Sequence, residues 1–331
     1  FRVQKIYESL YDGDHVRVAE VHLNLGFLYL SLGEYDSARR SNTAALAMYT
    51  ALLGSDHPDV GLCRYQLGSI EIKSGNLDEA QAIYRALLEE NRARFGEHLF
   101  VTLDLNNLAG VHTRRGDYDK ALELHGDALA MQERVLPPEH QEIATSFANM
   151  GFIYQRMGRL DDAEEALRKA LEMRQHLFPE GHSTRLMTRH TLAIVMSSRG
   201  QYQEAFDLSS VVLEARRKKL GRHPDTAASL YGCAYYLYKL GQHDAARAMG
   251  EESRDIYMEY HSEAHPHIAR PINLIGLSFL AEERYGDAIR ELEASLVMRE
   301  ATLPEDHPDT IHTKFTLGTA LVALEKESAE T

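Results

Sequence analysis

The chain has 331 residues, of which 44% are hydrophobic and 26% are charged, and its formal net charge is −14. This composition is ordinary for a folded globular protein, but the acidic balance argues against a nucleic-acid reader, which needs a strongly basic face. No apolar run is long enough to cross a membrane, and two distant cysteines, Cys63 and Cys233, indicate a reducing, cytoplasmic setting without a disulfide framework.

Residues 14–53 contain two predicted helices that set the pattern for the chain. The first follows His15, places Val18, Val21 and Leu25 at helical spacing, and stops at Gly33. The second, YDSARRSNTAALAMYTALLG, also has an apolar face. The two segments together predict an antiparallel helix pair.

The same landmarks recur every 41 or 42 residues through the rest of the chain. Each unit opens with a histidine and carries a small residue eleven positions later. A turn glycine follows in six of the seven complete units. The histidines are His15, His57, His98, His140, His182, His223, His265 and His307. This register predicts seven tandem helix pairs over residues 14–305 and the first helix of an eighth pair, with a tail, in residues 306–331.

The recurring histidine is expected to be architectural. Histidines one repeat apart cannot converge on one metal, because all ligands must lie about 2 Å from the ion. We therefore predict a loop or helix-start contact at each position, and no metal site.

The two ends of the chain fit the same frame. Residues 1–13, FRVQKIYESLYDG, have the character of a second helix whose first helix is missing. The eighth pair would also lack its second helix. The pattern therefore predicts a piece of a longer protein, with ends that could support self-association.

The repeat resembles that of a known family. Gly26, Tyr29, Gly33, Tyr35 and Ala38 match the tetratricopeptide repeat (TPR) pattern of a small residue, an aromatic residue, a turn glycine, a second aromatic residue and a packed alanine. The long second helix, the HPD motifs and the phrase LNNLA at 105–109 are similar to kinesin light chain repeats. The resemblance implies an all-α, right-handed superhelical solenoid of antiparallel helix pairs. Its concave groove would hold protein segments, often acidic ones in kinesin light chains.

No catalytic motif is present in the sequence. It lacks a phosphate-binding loop, a nucleophile elbow, the HExxH zinc motif and paired CxxC motifs. We expect a protein that is not an enzyme and that uses no cofactor.

A row of cations falls on one predicted groove position. By the TPR resemblance, this position lies five residues after the small residue of each first helix. It carries Lys73, Arg114 and Arg156 in three consecutive units, and Lys239 in the sixth. Cations at this spacing favour an extended acidic segment as ligand.

Other groove-side positions carry amide and aromatic side chains. They are Tyr65, Asn106, Asn107, Asn149, Tyr231, Tyr235 and Tyr238. Asparagine amides can hold the backbone of a bound peptide, and tyrosines can bury area while keeping a hydrogen-bonding group. We assign these residues to the predicted peptide groove.

The seventh unit departs from the pattern twice. Pro271 stands inside its predicted first helix, and Glu283 replaces the turn glycine. Because proline removes a helix hydrogen bond and clashes with the preceding turn, this helix is expected to start late or to kink.

Three functional hypotheses fit the sequence. The first is a scaffold or adaptor that binds a protein or peptide partner. The second is a sensor or autoinhibitory repeat domain of a nucleotide-binding signalling switch. The third is a targeting or regulatory domain of an enzyme whose catalytic domain lies elsewhere.

Overall fold

The computed structural model describes residues 10–11, 13–261 and 264–330, and within these residues it contains fifteen α-helices and no strand. The helix expected over residues 1–13 lies almost wholly outside this range. The chain divides into two compact units, Phe1–Met157 and Gly158–Thr331. The boundary falls at the turn glycine of the fourth repeat.

The helices follow the predicted alternation of first and second helices. In the first unit they are α1 (Val16–Ser31), α2 (Tyr35–Leu53), α3 (Pro58–Ser74), α4 (Leu77–Phe95), α5 (Leu99–Arg115), α6 (Tyr118–Val135) and α7 (Gln141–Arg156). In the second unit they are α8 (Leu160–Leu177), α9 (Ser183–Ser198), α10 (Tyr202–Leu220), α11 (Pro224–Lys239), α12 (His243–Tyr260), α13 (Pro266–Ala281), α14 (Tyr285–Thr302) and α15 (Pro308–Glu330). The all-α fold of tandem helix pairs is confirmed.

The repeat histidines start the odd-numbered helices. In all eight, the ring Nδ1 accepts a hydrogen bond from the backbone N–H two residues further on, at 3.1 to 3.4 Å. The first backbone N–H groups of a helix have no partner within the helix, so each ring supplies one of the missing acceptors. The predicted architectural role is confirmed.

Small residues let the two helices of a pair approach closely. A methyl group at Gly68 of α3 would lie 2.5 Å from the Tyr84 ring of α4, and one at Gly276 would lie 2.9 Å from the Leu292 side chain. Ala80 of α4 is fully buried, as is the corresponding alanine of each other second helix. Any side chain at Gly68 would therefore collide with the Tyr84 ring unless that ring moved.

A polar clamp, which no spacing in the sequence predicted, joins successive pairs at three junctions of the second unit. A side chain late in a second helix donates to a hydroxyl 13 or 14 residues further on, in the next first helix. In the second unit the clamps are Arg174 Nη1 to Thr188 Oγ1 at 2.5 Å, Arg216 Nη1 to Ser229 Oγ at 2.8 Å and Arg299 Nη1 to Thr313 Oγ1 at 2.6 Å. Each arginine also donates to a backbone carbonyl near the start of that helix. The clamp fixes one repeat against the next.

The seventh pair overturns one of the two outcomes expected for its first helix, the late start. Its first helix does not start late, because α13 begins at Pro266, directly after the cap His265, with Pro271 in its interior. An interior proline costs about 3 kcal/mol or more. Ten of the sixteen residues of α13, including Pro271, are buried, and this packing offsets the cost.

The turn of the seventh pair also keeps the ordinary geometry. Glu283 adopts a φ of 59°, and it is the one non-glycine residue with positive φ in the described part of the chain. The backbone N–H of Arg284 donates to the Phe279 carbonyl at 3.0 Å, as the N–H of Glu34 does to the Tyr29 carbonyl at 2.9 Å in the first pair. The seventh pair therefore keeps the same turn as the other pairs, and the left-handed backbone of Glu283 makes this turn less favourable than one with glycine.

Replacing Glu283 by glycine should stabilise the protein by about 1 kcal/mol, because glycine adopts a left-handed conformation without a steric penalty. Urea unfolding followed by circular dichroism would measure this change. The reverse change in an intact turn, Gly241→Glu, is the matched control and should destabilise by a similar amount. A Glu283→Gly variant that is no more stable than the parent would contradict the strain at this turn.

The histidine caps make a second prediction. His140→Ala should cost about 1 kcal/mol of unfolding free energy, whereas His140→Asn should cost much less, because asparagine is itself a good N-cap. Urea unfolding at pH 8 would compare the two variants. Equal losses would show that the ring contributes by packing rather than by capping.

Candidate functional site

The cation row lies at the ends of successive first helices. Lys73, Arg114 and Arg156 all occupy the last turns of their helices, and all three side chains are exposed or nearly so. Neither Lys73 nor Arg114 forms an ion pair with any described residue. Cations in a last turn also interact favourably with the negative end of the helix dipole, which accounts for their position but leaves their charge available.

Two members of the row share a cavity of about 600 Å³ in the first unit. The cavity lies between the ends of α5 and α7, with the start of α6 beneath it. Its lining residues are Gly110, Thr113, Arg114, Arg115, Gly116, Tyr118, His125, Asn149, Phe152, Ile153 and Arg156. No carboxylate is among them, although the chain has 50 acidic residues. Lys73 is not part of this lining.

The Arg156 side chain is held over the cavity by a neighbouring helix. Its Nε donates to the hydroxyl of Tyr118 at 3.5 Å. This contact uses Nε and leaves the two terminal nitrogens of the guanidinium without a protein partner among the described residues. A third arginine, Arg115, has its charge balanced by Asp78 and also bonds Gln81 at 2.5 Å.

A buried polar network forms the floor of the cavity. His125 is 2% exposed, and burial lowers its pKa to about 4. The neutral ring donates from Nδ1 to Asn106 Oδ1 at 2.7 Å, and Asn106 Nδ2 donates to Ser146 Oγ at 3.2 Å. Ser146 donates in turn to Gln132 at 2.9 Å. The floor is therefore polar but uncharged at neutral pH.

The three predicted asparagines have different surroundings. The Asn106 amide is engaged within the network, so it is not presented to a ligand. Asn149 lines the cavity and Asn107 is partly buried, and neither amide has a hydrogen-bond partner among the described residues. Of the three, Asn149 is the amide placed beside the cations.

Tyr65 belongs to a second buried network in the first unit. Its hydroxyl donates to Asp104, which is fully buried, and Asn91 Nδ2 donates to the other carboxylate oxygen at 2.8 Å. Burial raises the pKa of Asp104 to about 6, although both of these hydrogen bonds favour its ionised form. The hydroxyl of Tyr65 is thus occupied inside the protein, and only its partly exposed ring remains for a ligand.

In the second unit, α11 brings three of the predicted residues together. The Lys239 ammonium lies 5.6 Å from the centroid of the Tyr235 ring and 5.7 Å from that of Tyr238. This distance is within the range of a cation–π contact. Tyr231 lies further back on the same helix, partly buried, and burial raises its pKa.

The two cysteines of the chain lie in its core. Cys63 and Cys233 are fully buried free thiols, and burial raises the pKa of each to about 12, so neither is a ready nucleophile at neutral pH. The described residues include no group of three or more side chains placed to hold a metal ion. None of the helices in that part of the chain is long and apolar enough to cross a membrane.

Sequence profiles identify the family. The tetratricopeptide repeat profile matches residues 17–89, 101–176 and 183–259, and a second profile of the same repeat matches 65–135. The chain belongs to the tetratricopeptide repeat family, whose members are typically non-catalytic scaffolds for protein interaction. No curated protein sequence matches the chain significantly.

Solved structures show the same fold. The nearly identical TPR-like repeats of a kinesin light chain-like protein from Podospora anserina are 25% identical and cover 62% of this chain and 99% of that chain, with a TM-score of 0.54. The apo form of RapI is 13% identical and covers 92% of this chain and 82% of its own chain, with a TM-score of 0.72. A Rap protein complexed with Competence and Sporulation Factor is 14% identical and covers 86% of this chain and 77% of its own chain, with a TM-score of 0.53. The kinesin light chain-type resemblance is confirmed.

The raised pKa of Asp104 predicts a pH effect on stability. Its folded-state pKa of about 6 lies above the ordinary value of 3.8, so the folded chain binds the proton more tightly than the unfolded chain does. The contribution of Asp104 to stability therefore falls as pH rises from about 4 through 6. Relative to the parent, Asp104→Asn should gain about 2 kcal/mol of unfolding free energy between pH 4.5 and pH 7.5.

Urea unfolding of both proteins at the two pH values would measure this difference. The control is Asp127→Asn, which changes an exposed carboxylate in the same unit and should track the parent. An Asp104→Asn variant that also tracked the parent would show that the buried carboxyl does not titrate in this range.

Proposed function

We propose that the first unit binds an extended acidic segment of a protein partner along its first helices, over Lys73, Arg114 and Arg156. The observation that carries this proposal is the cavity between α5 and α7. It gathers two arginines that lack a carboxylate partner and one amide that lacks a hydrogen-bond partner among the described residues, and no carboxylate lines it, in a chain whose net charge is −14. A cationic surface that persists in so acidic a protein is suited to an anionic ligand.

The energetics require several contacts rather than one. An exposed ion pair is worth about 0–1 kcal/mol, so no single cation in the row would give useful affinity. The cavity adds to the ion pairs because a ligand group inside it is partly removed from water, where charge-assisted hydrogen bonds are stronger. Phe152, which is 44% exposed on the cavity wall, offers apolar surface beside the charges.

Two further observations support a protein ligand. The family fold presents first helices along one continuous binding face, which suits an extended segment. The Rap protein with the same fold is seen in a complex with Competence and Sporulation Factor. In the second unit, the Tyr235, Tyr238 and Lys239 cluster is a second candidate contact surface for such a partner.

Charge reversal tests the proposal. An array of acidic peptides would first identify ligands of the parent protein. The triple variant Lys73→Glu, Arg114→Glu, Arg156→Glu should then bind these peptides at least about tenfold more weakly, because three attractive contacts become repulsive. Parent binding should also weaken between 50 and 300 mM salt, because the charges are partly exposed and are screened.

A matched control separates the groove from net charge. Arg85, Arg92 and Lys218 are exposed on second helices and form no ion pair with described residues. Their triple reversal to glutamate changes the net charge by the same amount and should leave peptide binding within about twofold of the parent. Retained binding in the groove variant, or equal losses in both variants, would refute the proposed surface.

A further inference from the structure

We propose that the cavity between α5 and α7 receives a phosphorylated side chain of the bound segment. This inference rests on the proposed function and specifies the ligand chemistry at one point of the groove. Its basis is the charge and the hydrogen-bonding capacity of the groups that line the cavity.

The charge balance of the cavity matches a dianion. Three arginines line it, and Asp78 neutralises the charge of Arg115. Arg114 and Arg156 remain without a carboxylate partner among the described residues, and the neutral ring of His125 adds no charge at pH 7. The unbalanced charge is thus that of two guanidinium groups. A phosphate monoester, which carries a charge between about −1.5 and −2 at pH 7, balances it more fully than a single carboxylate does.

The type of cation also favours phosphate. Both unpaired cations in the cavity are arginines, whose planar forks bind carboxylate or phosphate oxygens with two parallel hydrogen bonds. One fork engages both oxygens of a carboxylate, whereas the three terminal oxygens of a phosphate monoester can accept from both forks. Tyr118 already holds Nε of Arg156, which orients this fork and leaves both terminal nitrogens available. The lysine of the row, Lys73, lies outside the cavity lining, where it can act as a simple point charge on a neighbouring acidic residue.

Neutral donors complete the cavity. The Asn149 amide has no hydrogen-bond partner among the described residues. The Tyr118 hydroxyl accepts from Arg156, so its own proton is free to be donated. Thr113 lines the cavity as well, but its hydroxyl donates to the Ala109 carbonyl at 2.9 Å and so does not serve as a donor. The cavity therefore offers two forks and two neutral donors to a group with three acceptor oxygens.

Three fluorescein-labelled peptides provide the test. They are alike except at a central position, which is phosphoserine, glutamate or serine, with two acidic residues on each side. Fluorescence anisotropy with the full chain should show the phosphoserine peptide binding about tenfold or more tightly than the glutamate peptide, and the serine peptide most weakly.

The double variant Arg114→Lys, Arg156→Lys identifies the source of the preference. It keeps the charge and removes the forks. The glutamate peptide, which engages at most one fork, should therefore lose only about threefold in affinity, whereas the phosphoserine preference should fall to about twofold or less. Arg85→Lys, Arg92→Lys, outside the groove, should keep the full preference.

The outcomes distinguish this inference from the proposed function. If the parent binds the phosphoserine and glutamate peptides equally, or if the double lysine variant keeps the preference, the phosphate inference is overturned while acidic binding stands. If the parent binds none of the peptides, both the proposed function and this inference fail.

Discussion

The hydrogen bond from a backbone N–H to the Nδ1 of a histidine is the interaction on which the register of the whole chain depends. It occurs at the start of all eight odd-numbered helices. One such bond contributes only about 1 kcal/mol, so its importance is positional rather than energetic. By fixing where each first helix begins, it fixes which side chains face the preceding pair and which reach the groove. Arg114 and Arg156 lie in the last turns of the helices that begin after His98 and His140.

This dependence explains why the fold was predictable and much of the site was not. A periodic signal is local, so spacing alone located the helices, their turns and the caps. The surroundings of Asn106 and Tyr65 depend instead on partners from other helices, which no spacing reveals. Their amide and hydroxyl groups are engaged by His125, Ser146 and Asp104 inside the protein. Nothing in the sequence around Asp104, which lies in the stretch LDLNNLA at 103–109, indicated that its carboxyl group would be buried.

The seventh pair shows the limit of rules based on single residues. Pro271 and Glu283 both oppose the conformations they adopt, and sequence reasoning therefore expected a local disruption. The burial of ten of the sixteen residues of α13 offsets the cost of Pro271, and Glu283 forms the ordinary turn in a left-handed conformation. The clamps between successive pairs escaped sequence reasoning for a different reason. Arginine followed 13 or 14 residues later by serine or threonine recurs in the second unit, but the pattern is recognisable only when the side chains are known to meet.

The buried network of the third repeat has a consequence for how such an array can change by duplication or exchange of units. At three junctions of the second unit, the polar contact is one arginine that donates to a hydroxyl and to a backbone carbonyl of the next first helix. A unit exchanged at such a junction needs only an arginine and a serine or threonine in register. The junction of the third and fourth repeats differs, because Asn106, His125, Gln132 and Ser146 are drawn from three helices and satisfy one another. Moving any one of these helices alone to another place would leave buried amides and an imidazole without partners. The arginine cavity above this network can therefore be passed on only together with α5, α6 and α7. These three helices form one block of sequence that is larger than a single repeat.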